Sequence, residues 1–134
     1  MNNKQKAIKL AMYLKDNFNS LQNCGSYSFH KTNEAHYYLK YDGYMIGSFG
    51  FEKSCDTLYI TEDTDDIEIN TCIEPQQIII NDKQFSTEIS LETNSKEFLS
   101  EPILNDIMKL PKENMNLSIT TEYIDELLDV LNIT

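Results

Sequence analysis

The dipeptide Asp42-Gly43 lies between His36-Tyr37-Tyr38-Leu39-Lys40-Tyr41 and Tyr44-Met45-Ile46-Gly47-Ser48-Phe49. Two aromatic or apolar runs joined by Asp-Gly are the strongest short-range signal for a β-hairpin closed by a type I′ turn. That hairpin requires a sheet, and a two-stranded ribbon alone is marginal in water. The rest of the chain must therefore supply more strands and a layer to cover them.

Further strand signals follow. Thr57-Leu58-Tyr59-Ile60 is short, and residues 26–30 can add a strand before the hairpin. Asp66-Ile67-Glu68-Ile69-Asn70 alternates strictly, which turns Ile67 and Ile69 inward and Asp66 and Glu68 outward. Gln77-Ile78-Ile79-Ile80 is bounded by Pro75 and Asn81-Asp82. A second hairpin is expected to turn at Asn81-Asp82-Lys83 and return through Phe85 to Leu91.

Helical periodicity brackets these strands. Ala7, Leu10, Ala11, Leu14 and Phe18 predict a helix over 4–22, with Gly25 past its end. Ser100 is placed to cap a helix with Pro102 in its first turn, Ile103, Leu104, Ile107 and Leu110 on its apolar face, and Pro111 as its stop. Residues 113–119 read as a loop or a short edge strand. Thr121 is placed to cap a final helix bearing Ile124, Leu127, Leu128 and Leu131. The expected fold is α+β in one domain, residues 1–134. It has an N-terminal helix, an antiparallel sheet of about five to six strands built from hairpins, and two C-terminal helices packed on it.

Charge narrows the function. The chain has 22 acidic residues against 11 basic ones, a net charge of −11, and every basic residue is lysine. Direct nucleic-acid binding needs a basic footprint and is not expected. Residues 61–134 alone carry a net −13. Such an excess serves solubility, or it matches a basic partner. No apolar run is long enough to span a bilayer, and the lysine-bearing start does not read as a signal peptide, so a cytoplasmic location without membrane association is expected.

Two acidic segments are candidate partner-binding sites. Glu62, Asp63, Asp65, Asp66 and Glu68 fall within seven positions. They lack the glycine and ligand spacing of a calcium loop, so the readings are a solvated loop or a surface that mimics spaced phosphates. Glu122, Asp125, Glu126 and Asp129 share one face of the final helix, opposite its leucine stripe. Like charges at that spacing cost a few tenths of a kcal/mol per pair, which local stability alone would not select. Five tyrosines, Tyr27, Tyr37, Tyr38, Tyr41 and Tyr44, cluster around the first hairpin; alternation puts Tyr37 and Tyr41 on one face and Tyr38 on the other.

Chemistry-bearing motifs are sparse. Cys24, Cys55 and Cys72 form no C-x-x-C pair, so reduced thiols are expected, with Cys55 and Cys72 as small buried hydrophobes. Cys24, at the end of the first helix, with His30 and His36, matches neither a zinc spacing nor an activated thiol. Neither a phosphate-cradling loop nor a hydrolase elbow occurs. The expectation is a non-enzymatic acidic inhibitor, without metal or cofactor, of a basic nucleic-acid-handling protein such as a nuclease. Phage anti-CRISPR, anti-restriction and DNA-mimic proteins are the class in view. The alternatives are a cytoplasmic immunity protein that neutralises a nuclease toxin and an acidic secretion-type chaperone.

Overall fold

The computed structural model describes residues 1–51, 56–85 and 101–134. The Asp42-Gly43 hairpin forms as its sequence dictates. Strand β2, His36–Tyr41, returns into β3, Tyr44–Gly50, and both turn residues have positive φ, 48° and 84°, as a type I′ turn requires. Strand β1, Tyr27–Asn33, pairs antiparallel with β2 and extends beyond the 26–30 expected.

Strands β4, Thr57–Glu62, and β5, Asp66–Thr71, form a second antiparallel pair. Strand β6, Gln77–Ile80, turns through Asn81-Asp82, again at positive φ, into β7, Lys83–Phe85. The remainder of the expected return strand to Leu91 lies outside the described residues, as do Cys55 and the Ser100 cap. Helix α2, Glu101–Lys109, has Pro102 in its first turn, and Pro111 follows its end. Strand β8, Met115–Thr120, follows, then a single 3-10 turn, Thr121–Tyr123, and helix α3, Ile124–Val130.

The sheet has eight strands in the order β1-β2-β3-β8-β5-β4-β6-β7. This corrects the expected sheet in three ways. It has more strands than five or six. It is mixed, because β6 runs parallel to β4. Residues 115–120 form neither loop nor edge: β8 is the strand between β3 and β5. The parallel pair has a simple origin. The short link 72–76 passes the start of β4, and the Gln76 amide donates to the Asp56 carbonyl at 2.6 Å. Skipping one strand means crossing about 10 Å, within reach of such a link.

Helix α1, Asn3–Asp16, begins with a capping box. The Asn2 carboxamide oxygen accepts from the Gln5 amide at 2.8 Å, and the Gln5 side chain accepts from the Asn2 amide at 3.1 Å. The helix stops well before residue 22, where the Asn17 and Ser20 side chains compete for backbone carbonyls. The Asn17 side-chain amide donates back to the Tyr13 carbonyl at 2.9 Å. Gly25, at φ 61°, thus serves a later turn rather than the helix cap.

Helix α1 packs on β4 and β5 and contacts both α2 and α3. The covered sheet face supplies Leu39, Phe49, Leu58, Ile60, Ile67, Ile69, Leu117 and Ile119, all at most 1% exposed. Ala7, Leu10, Ala11 and Leu14 meet them from α1. Phe18, beyond the helix, closes one end against Tyr37, Phe49 and Phe51, with ring centroids 4.9, 5.8 and 4.9 Å away. Cys72 is buried as expected, but it is disulfide-bonded rather than reduced. Pairing follows spatial approach of the two Cα atoms, which spacing in the sequence does not reveal. No helix among the described residues is long and apolar enough to cross a membrane.

Gly47 marks a close approach of β3 to β8. A Cβ there would lie 2.1 Å from the Ser118 carbonyl oxygen. Because that atom is backbone, relief requires the two strands to part. Gly47→Ala is expected to cost about 2–3 kcal/mol, in the upper range for overpacking, read as a lowered urea midpoint. Gly43→Ala, in open space but at positive φ, is expected to cost about 1 kcal/mol.

Candidate functional site

Pairing register decides where the acids fall. Strand β3 runs parallel in space to β5, since each is antiparallel to β8, and β6 runs parallel to β4. The β2–β3, β4–β5 and β6–β7 turns therefore lie at one end of the sheet. Strand β8 also ends there and delivers the 3-10 turn to the same end. Asp42, Asp63, Asp65, Asp82 and Glu122 gather along this rim, with Glu62 and Asp66 at the adjoining strand ends.

The rim is continuous. The Thr121 amide donates to the Asp65 carbonyl at 2.9 Å, and its hydroxyl donates to the Thr64 carbonyl at 2.8 Å. Thr121 therefore ties the 3-10 turn to the acidic hairpin rather than capping a helix, which corrects its expected role. On one side, Tyr123 bridges to the first hairpin: its ring lies 5.1 Å from that of Tyr41. Hydrogen bonding to Glu122 raises the Tyr123 phenol pKa above its ordinary value, with partial burial and the fields of Glu122, Tyr41 and Asp42 adding to it. On the other side, Thr61, Glu62, Asp63, Asp66, Glu68, Asn81 and Asp82 line an open recess of about 420 Å³.

Individual acids differ in what they do. Asp63 holds its own turn, its carboxylate accepting from the Asp65 amide at 2.9 Å and the Asp66 amide at 3.3 Å. Such an Asx turn is a structural reason for an aspartate. Asp66 and Glu68 face away from the helices, as alternation predicts. Glu68 accepts from the Tyr59 hydroxyl at 3.1 Å, and burial, then the Glu68 charge and that bond, raise the Tyr59 pKa. Between Asn70 on β5 and Gly50 on β3, the Asn116 side-chain oxygen is buried without a hydrogen-bond partner among the described residues.

The final-helix acids do not act as one face. Lys6 reaches Asp125 at 2.6 Å, so a lysine from α1 meets the stripe that its own helix leaves unrelieved. The Glu126 carboxylate lies beside the Tyr27 phenol and raises its pKa. Asp129 is exposed on the last turn of α3, away from the rim. The structure thus brings Glu62, Asp63, Asp65, Asp66, Glu68 and Glu122 together, while Asp125 is engaged by Lys6, Glu126 lies beside Tyr27, and Asp129 is exposed on the last turn of α3. Asp42 and Asp82 join the rim but read in the sequence only as turn residues.

The cysteine and histidines scatter. Cys24 lies beyond the helix end, its thiol donating to the Val130 carbonyl at 3.2 Å, and His36 Nδ1 pairs with the Thr32 hydroxyl at 2.9 Å. Among the described residues, no three His, Cys, Asp or Glu side chains converge as a metal site. No protein-family model matches the chain, and no curated protein or solved structure is significantly similar to it.

Burial, the charge of Glu126 and its hydrogen bond together push the Tyr27 pKa up to about 12, from an ordinary value of 10.0. The folded state thus favours the neutral phenol. Its contribution is complete below pH 10 and is lost as pH rises through 12. Tyr27→Phe is expected to flatten the decline of the urea midpoint between pH 10 and 12. An unchanged slope would assign the alkaline loss to other groups.

Proposed function

We propose that the chain is a non-enzymatic, protein-binding inhibitor of a basic nucleic-acid-handling protein. The carrying observation is the acidic rim, in which three turns and the 3-10 turn present carboxylates along one end of an eight-stranded sheet. A rigid sheet end holds these charges at fixed spacings, and the partner is the kind of cationic cleft that normally receives a phosphate backbone. Complementary fields would speed encounter and make it sensitive to salt. Restriction-type and CRISPR-type effectors belong to this partner class, as do nuclease toxins held by immunity proteins. Lys83 lies beside Asp82 and Lys4 near the start of α1, yet carboxylates outnumber cations along the rim.

The test compares two variants that lose equal charge. One carries Asp42→Asn, Asp65→Asn, Asp82→Asn and Glu122→Gln at the rim. The other carries Asp16→Asn, Glu34→Gln, Asp56→Asn and Glu74→Gln at the opposite end. Asparagine tolerates the positive φ of residues 42 and 82, so the turns should survive. The immobilised wild type is expected to retain basic nucleic-acid-binding proteins from its source-cell lysate at low salt and release them at high salt. Titration of the purified partner should show at least about tenfold weaker binding for the rim variant and little change for the other, as expected for close charge pairs. Equal affinity of both variants would overturn the reading.

A further inference from the structure

Tyr44 is 74% exposed at the tip of the β2–β3 hairpin. It pairs in register with Tyr41, so both side chains leave the same face of the hairpin, the face on which Tyr41 meets Tyr123. The Tyr41 and Tyr123 rings lie 5.1 Å apart at a 37° tilt, and Tyr27 meets Tyr41 at 5.0 Å, so the Tyr41 and Tyr123 rings are half-buried and Tyr44 is the exposed ring beside them. Asp42 and Glu122 flank it; both act on the Tyr123 phenol. Among the described residues no ring packs on Tyr44, and the one cation seated over aromatic rings, Lys31, lies over Phe18 and Tyr37 instead.

An exposed tyrosine at a hairpin tip contributes little to folding. Its position beside two carboxylates has a recognisable chemistry. A guanidinium is planar and weakly hydrated; it stacks on an aromatic face while its N–H groups fork onto a carboxylate. An ammonium does the first poorly and cannot do the second in the same plane. The chain contains no arginine of its own to fill such a place.

We propose that Tyr44, with Tyr41, Tyr123, Asp42 and Glu122, forms a docking surface for arginine side chains of the protein partner. This rests on the acidic-rim reading and specifies the partner's chemistry: an arginine-bearing protein surface. Charge complementarity selects the cation, and the exposed Tyr44 ring selects guanidinium over ammonium.

The test titrates octa-arginine and octa-lysine peptides into the full-length chain at low salt, following the tyrosine ring resonances. Octa-arginine is expected to bind about threefold or more tighter than octa-lysine, the scale of an exposed cation–π contact. The ring signals of Tyr44, Tyr41 and Tyr123 should shift. Tyr44→Ala, at a solvent-exposed site where folding is not at risk, should bring octa-arginine down to the affinity of octa-lysine. Asp42→Asn with Glu122→Gln should weaken both peptides. Equal binding of both peptides, or a preference that survives Tyr44→Ala, overturns the arginine surface and leaves the rim reading standing. If neither peptide binds at low salt, the rim reading falls with it.

Discussion

The fold depends on β8. Strands β1–β3 and β4–β7 are each assembled from near neighbours in the chain, and among the described residues the strand that joins the two groups is Met115–Thr120. Its Leu117 and Ile119 are buried beneath the helices, while its two edges satisfy β3 and β5 at once. Removing it would expose two strand edges and split the core. The closeness of Gly47 to the Ser118 backbone reflects the same requirement, since β8 must fit between two strands already in place.

That insertion also makes the candidate site. The acidic hairpin and the acidic start of the last helix are far apart in sequence, and Asp66 lies opposite Thr120 only because β5 pairs with β8. Thr121 then spends its amide and hydroxyl on the carbonyls of the acidic hairpin. Glu122 is thereby set between that hairpin and Asp42. A cluster of like charges resists assembly by self-repulsion. Here the cost is carried by buried isoleucines and leucines immediately inside the rim.

Several rim acids have two sufficient causes. Asp42 and Asp82 occupy left-handed turn positions that favour Asn or Asp, and Asp63 closes an Asx turn. Local backbone chemistry alone would admit asparagine at each. Tertiary structure adds that these turns share one end of the sheet, so a choice made three times for local reasons becomes one extended field. The final helix shows the converse. Its acids look like a uniform face when read by helical spacing. In three dimensions Asp125 is engaged by Lys6 of α1, and Glu126 acts on Tyr27 of β1.

What the sequence determined by itself was local. The Asp42-Gly43 hairpin, the inward isoleucines of β5, the Asn81-Asp82 turn, the apolar stripes of α2 and α3 and the α+β class all follow from periods of 2 and 3.6 residues and from turn chemistry over a few positions. The tertiary structure alone decided the rest. It made a segment that reads as loop or edge into the bridging strand, turned β6 parallel to β4, placed Cys72 in a disulfide, and gathered acids that lie far apart in the chain. Short polar-alternating strands such as Met115–Thr120 fit an edge or a centre equally well by local pattern. Which one they occupy depends on the two free edges awaiting them, a property of the assembled sheet and not of any window of sequence.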